Sequence, residues 1–342
     1  MRVIVVSPDE LGDAERAAWA LLQGQVPSSA SPFLSSTFAG IVGRHRPDAR
    51  VAIVEEAART VAFLPFEPGA KGIAVPIGGD LTGAEGFVGA HAAIDAREVV
   101  RAAGLRGWRF RHASVDQSVL TPYAYAGTLA QVRTIDLTNG YDAYVAALSK
   151  SETRALTRRR RALERDVGPV RLVWRSTDTR HLETLLDWKS KQFESARRLF
   201  SDGGSRRILY DLLETDEADC TGLLSLLIAG DHVAAIQLAV VGPRGLSWIA
   251  TGYSHELARY SPGTLMARHI AEEAPRHGVT LIDIGWGDDA YKRSLSNGSY
   301  PIFGGTIWAN RLESGARALY RQAVLRAGYG ETSGGRTGRD SR

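Results

Sequence analysis

The 342 residues are enough for two ordinary domains or one large one. Hydrophobic residues make up 44% and charged residues 23%, the balance of a soluble globular protein, and the net charge of +4 is spread along the chain. That charge does not by itself argue for nucleic acid, although it suits an anionic ligand. A lone cysteine, Cys220, excludes an intrachain disulfide and points to a reducing compartment, here the cytoplasm. No apolar run approaches the roughly 18 residues of a membrane span, and the eight histidines show no metal-ligand spacing, so no metal is expected.

In chain order, RVIVV at 2–6 reads as a first strand rather than a leader. A helical apolar pattern follows over 10–23, then a helix entry at SPFLSSTF (31–38). Strands are expected near 51–55 and 60–66, and GIAVPIGGD at 72–80 reads as a strand closing in a glycine turn. A helix over 92–103 and a strand at 108–112 complete an order of β-α-α-β-β-β-α-β. Residues 141–167 then form a long helical stretch with apolar positions on one face. Arg154, Arg158, Arg161 and Arg165 make a second stripe, either a solvated face or a contact for phosphates or an acidic partner.

The second half opens with a strand at 170–174, a helix over 179–197 and another over 203–214. Three closely spaced strands follow at 222–229, 232–241 and 246–253; their short connections make them antiparallel. A helix at 262–277, a strand at 279–284, a helix near 288–296 and a strand at 302–309 come next. A last helix is expected over 311–327, and the Gly-, Ser- and Arg-rich end reads as disordered. The element order of the first half repeats. We expect a mixed α/β sheet in two similar domains, 1–140 and 169–328, joined by the Arg-rich helix of 141–168 and followed by a tail at 329–342.

The chemistry-bearing residues cluster in 246–293. Ser261-Pro262-Gly263 reads as a helix start, with Ser as cap and Pro at the first position. The amides of Gly263, Thr264 and Leu265 would point outward, a place for phosphate. Asp283, inside the apolar strand TLIDIGW, needs a partner. Asp288 and Asp289 read as the cap of the next helix. Tyr291 can give a proton to a leaving thiolate, and Lys292 can stabilise developing negative charge. Trp188 reads as core or groove wall and Lys189 as a candidate substrate contact. Cys220 reads as buried, and His255 and His269 as surface or capping residues.

The stretches SPFLSSTF, LPFEPG (64–69), GGDLTGAEGF (78–87), LSKSETRALTRRRRALERDVG (148–168), YSPGTLM (260–266) and IDIGWGDDAYKR (282–293) resemble the CelD/BcsL-like acetyltransferases of cellulose and exopolysaccharide biosynthesis. That family is related to the Fem-type aminoacyl transferases, which carry two GNAT-like domains (the acyl-CoA N-acyltransferase fold). The resemblance implies tandem GNAT domains and acyl transfer from acyl-CoA to an amine or hydroxyl acceptor, such as a sugar or a cell-envelope polysaccharide precursor. It places the pyrophosphate on Tyr260, Ser261, Gly263, Thr264 and Leu265. The thioester would run along Ile249 and Thr251, with Tyr291, Lys292 and Asp283 at the reacting centre and Trp188, Lys189 and Trp286 around the acceptor. The usual GNAT turn, Q/R-x-x-G-x-G/A, has more backbone donors than this one, because Pro262 lacks an N–H. Two alternatives stand beside this reading. One is an aminoacyl-tRNA donor, as in the Fem-type relatives, with the Arg stripe on RNA. The other is a non-catalytic subunit of an exopolysaccharide assembly.

Overall fold

A computed structural model describes residues 1–25, 27–89, 94–243 and 245–310. The helix expected over 311–327, the tail at 329–342 and the start of the helix expected at 92–103 lie outside the described residues. The first half runs β1 (Arg2–Val6), α1 (Asp13–Gln23), α2 (Ser36–His45), β2 (Arg50–Glu56), β3 (Arg59–Glu67), β4 (Ile73–Pro76), α3 (Ala96–Ala102) and β5 (Gly107–Ser114). This is the expected order. A further strand, β6 (Ala130–Asp136), follows where none was expected, since AQVRTID neither alternates cleanly nor forms an apolar run. The single helix expected over 141–167 is two, α4 (Tyr141–Ala147) and α5 (Lys150–Asp166). Leu148 is extended between them, and Ser149 takes the cap position of α5.

The second half runs β7 (Val170–Val173), α6 (Thr179–Gln192), α7 (Glu194–Ser201), α8 (Gly203–Glu214), the two-residue β8 (Asp216–Glu217), β9 (Cys220–Ala229), β10 (His232–Gly242) and β11 (Gly245–Tyr253). It ends with α9 (Pro262–Glu273), β12 (Leu281–Trp286), α10 (Ala290–Leu295) and β13 (Gly298–Trp308). The helix expected over 179–197 breaks at Phe193, whose backbone is extended. Among the described residues no helix is long and apolar enough to cross a membrane.

Among the described residues all thirteen strands join one mixed sheet in the order β1-β2-β3-β4-β5-β13-β6-β12-β11-β10-β9-β7, with β8 on β9. The halves interleave at its centre. The last strand, β13, pairs antiparallel with β5 over 302–308 and with β6 over 298–302. In turn β6 pairs with β12. The expected domain boundary near residue 140 thus follows a strand that hydrogen-bonds to the second half.

Strand alternation sorts the side chains into cores on the two faces. On β10, Ile236, Leu238 and Val240 enter one core while Ala235 and Ala239 enter another; on β9, Leu224, Leu226 and Ile228 part from Leu223 and Leu227 in the same way. The first of these cores is common to both halves: Trp19, Phe33, Phe38 and Val42 pack in it with Leu185, Ile208 and Leu212. Its rim carries Arg46, which donates to Glu67 at 2.9 Å and to Ser205 Oγ at 2.9 Å. The first half's other core, around Trp108, Phe110 and Leu64, includes Phe303 and Ile307 of β13.

Candidate active site

The site begins where two parallel strands part. β11 pairs with β12 only at Leu246–Ile282 and Ser247–Asp283, so the strands diverge beyond that point and open a groove. On its other side β11 bulges: Leu238 of β10 faces Ala250, and the next residue, Ala239, faces Trp248, so Ile249 has no register partner. A buried glutamine holds this bulge. Gln237 Nε2 donates to the carbonyls of Leu238 and Ala250 at 3.0 and 3.2 Å, and Gln237 Oε1 accepts the hydroxyl of Thr251. Without these bonds the bulge would leave buried carbonyls unpaired. β12 is also irregular between Asp283 and Trp286. Gly285 and Gly287, at φ +83° and +115°, turn it toward α10 in a conformation that side-chain-bearing residues rarely adopt.

The groove between the parting strands holds a cavity of about 260 Å³. Trp248, Ile249 and Thr251 line it from β11, Lys292 and Tyr291 from α10, and Lys189 from α6; Asp80 to Gly83 of the first half form the facing wall. Lys292 is buried, and its Nζ donates to the carbonyl of Trp286. Burial pushes its pKa down, with Asp289 and Asp283 opposing. Lys189 is pushed down by burial and then by the charge of Lys292, so the two ammonium groups share one electrostatic field. Asp283 accepts from Tyr300 Oη at 2.6 Å and from the Gly285 amide at 2.7 Å. Burial still raises its pKa above the usual carboxylate range. Tyr291 is half exposed, and burial together with Asp289 pushes its phenol up to about 12, so it holds its proton at neutral pH.

The turn before α9 differs from expectation in its hydrogen bonds. Ser261 adopts a left-handed backbone, φ +52°, and its side chain caps nothing. Its carbonyl accepts from Thr264 and Leu265 at 3.0 and 3.1 Å, so those two amides are already paired. Gly263 keeps the one amide of the three without an acceptor among the described residues. Side chains supply other donors here. Arg159, Arg268, Thr153, Ser261 and Thr264 line a cavity of about 350 Å³, together with Tyr291. Arg268 Nε and Thr153 Oγ1 are buried and unpartnered. Two guanidinium groups beside a helix start fit a phosphate ester.

Tyr291 therefore lines both cavities, the phosphate-compatible one and the groove of Lys292. Ser261, Thr264, Ile249, Thr251, Lys189, Trp286, Asp283 and Lys292 also line this pair of cavities. Other expectations fall outside it. Tyr260 and Leu265 are core residues, since the helix turns those positions inward; Tyr260 Oη donates to Asp166 at 2.8 Å. Trp188 packs behind Gly252 instead of lining the groove. Asp289 takes the cap position of α10, and Asp288 pairs with Arg133 and Arg293. Burial pushes the Cys220 thiol up to about 12, in keeping with a buried, unreactive residue. His269 is half-buried beside α5, and His255 packs on Tyr253 with ring centroids 5.8 Å apart. Of the expected Arg stripe, Arg158 lines a surface cavity with Arg259 and Tyr260, and all four guanidinium-bearing residues are exposed. Arg159, Arg268, Gln237 and the first-half wall had not been anticipated.

Residues 150–293, from the start of α5 into α10, match the family described as an acetyltransferase (GNAT) domain. Among solved structures, FemX superposes with a TM-score of 0.56 at 13% identity, covering 90% of this chain and 96% of that one. A tandem GNAT protein of the clavulanic acid biosynthesis pathway gives 0.52 at 14% identity, covering 90% and 98%. A conserved protein of unknown function from Bacteroides thetaiotaomicron gives 0.54 at 10%, covering 87% and 98%. The fold is thus a GNAT-type acyltransferase fold, shared along nearly the whole length of a tandem protein. No curated protein matches the sequence.

Proposed function

We propose that the chain is an N-acyltransferase that moves an acyl group from acyl-CoA to an amine, with two GNAT-like domains around one groove. The supporting observation is the position of Tyr291. It separates the space where Thr264, Arg159 and Arg268 would hold a pyrophosphate from the groove where Lys292 and the β11 bulge face the thioester. Bound acyl-CoA supplies an activated carbonyl. Lys292 and the Ile249 amide stabilise negative charge on its oxygen, and Tyr291 protonates the departing sulfur. The groove has a second wall from the first half, so the acceptor enters between the halves. An amino sugar of an exopolysaccharide precursor combines the amine with the saccharide acceptor implied by the family resemblance, in a cytoplasmic reaction. The test is release of free thiol from acetyl-CoA across a panel of amines and amino sugars, with calorimetry for CoA. Thiol release that depends on the amine supports the reading. CoA binding without turnover would leave a binding subunit, and no CoA binding would end the proposal.

The exposed arginines of α5 beside the same turn favour one rival, a charged-tRNA donor. That donor would bind with a steep salt dependence set by the phosphates neutralised. A melting-temperature rise with CoA thioesters and none with charged tRNA separates the two.

A further inference from the structure

Glu85 is a fully buried carboxylate on the first-half side of the groove. The backbone amides of Arg111 and His112 donate to its Oε2, the second at 2.9 Å. Its Oε1 lies 3.3 Å from His112 Nδ1, within ion-pair distance, and both atoms are buried with no hydrogen-bond partner. A carboxylate anchored in this way holds the imidazole proton on Nδ1 and leaves the lone pair on Nε2. Trp286 fixes the plane of the ring, stacked at 5.0 Å and 27°. Nε2 has no protein partner among the described residues.

The ring lines a cavity of about 380 Å³ that lies next to the Lys292 groove and shares Gly83, Ser247 and Asp283 with it. Glu85, Asp116 and Asp283 also line this cavity, and no lysine or arginine does so among the described residues. Asp116 Oδ1 is buried without a partner. Much of the remaining wall is apolar, from Pro27, Ala30, Leu34 and Leu246. Three carboxyl-bearing side chains set in a partly apolar wall suit an ammonium-bearing acceptor.

We propose that His112, oriented by Glu85, is the general base that takes the proton from an ammonium-bearing acceptor seated in this cavity. This rests on the transferase reading above. The acceptor's N–H proton passes to His112 Nε2, and the freed lone pair bonds to the thioester carbon. The carbon–sulfur bond breaks, the sulfur leaves with the proton of Tyr291, the second proton of the acylated nitrogen passes through water to the Tyr291 oxygen, and the imidazolium returns its proton to water. Glu85 is a positioning residue, and His112 acts on the substrate.

Two measurements test this. The first compares acetyl-CoA turnover with pentylamine, cationic at neutral pH, and with hydroxylamine, which is uncharged there. Relative to wild type, His112→Gln should lose about a hundredfold more activity on pentylamine than on hydroxylamine. Equal losses, or none, would overturn the assignment, as would a wild-type chain that uses hydroxylamine but never pentylamine. A wild-type chain inert to both nucleophiles sinks the transferase reading itself, and the inference with it. The second measurement needs no turnover. Long-range nitrogen–proton correlation spectra should show neutral His112 with its proton on Nδ1, the signal being assigned by its loss in His112→Gln. A proton on Nε2 would refute the dyad.

Discussion

Tyr300 Oη donates to Asp283 Oδ2 at 2.6 Å, reaching from β13 across β6 to β12. The contact binds the strand that closes the first half to the strand that borders the Lys292 groove. Asp283 also lines both the groove of Lys292 and the cavity of His112, so its ionisation is felt on either side.

Burial raises the Asp283 pKa despite Tyr300, the Gly285 amide and Lys292. The folded chain therefore binds a proton more tightly than the unfolded one does. Stability from this group is full below the ordinary carboxylate value of about 3.9. It is lost as pH rises from there through the raised folded value. Asp283→Asn should show a flatter stability–pH curve over that window, measured by urea unfolding at a series of pH values. A curve parallel to wild type would show that Asp283 titrates normally.

Gly263 has room for a methyl group: an added Cβ would meet Tyr253 Cδ1 at 3.6 Å and Thr251 Cγ2 at 3.8 Å, ordinary contacts. Gly263→Ala should therefore fold as well as wild type or gain about 0.5–1 kcal/mol, as Ala does over Gly in a helix. Gly263→Val should weaken CoA binding about tenfold, or about 1.4 kcal/mol, with little change in melting temperature. Unchanged calorimetric affinity would remove the turn from the site.

Tyr291→Phe leaves the ring between the two cavities and removes the proton. Turnover should fall about a hundredfold, with CoA affinity within about twofold of wild type. Full turnover would show that another group protonates the sulfur.

Lys292 holds down the pKa of Lys189 across the groove, after burial the next cause. Lys292→Met should raise the Lys189 pKa, followed by NMR titration of the lysine side chains, and should lower kcat more than it raises KM. An unmoved Lys189 titration would mean that solvent screens the two charges from each other.

Strands β9 to β11, the start of α9 at Pro262 and the Asp283–Lys292 segment were legible because each is local: alternation, a proline at a first helical position, a short run of polar residues beside apolar ones. The unanticipated parts rest on contacts between distant segments. AQVRTID becomes a strand only because β12 and β13 flank it. Gln237 reads as a polar interruption in an apolar strand, and its purpose appears only once the bulge of β11 lies beside it. Glu85 and His112 belong to no spacing motif and meet through the bridge between Glu85 and Ala113. Arg159 lies one position from the stripe that the helical period picked out, and the cavity beside α9 selects it instead.

The position of β13 also constrains how the molecule comes into being. Until residue 308 has left the ribosome, β5 has a bare flank and β6 lacks one of its two neighbours. Neither half can finish its sheet before β13 is made, so the centre of the sheet assembles late. For the same reason the two halves should melt together, and fragments cut near residue 140 should fail to fold apart but complement each other when mixed.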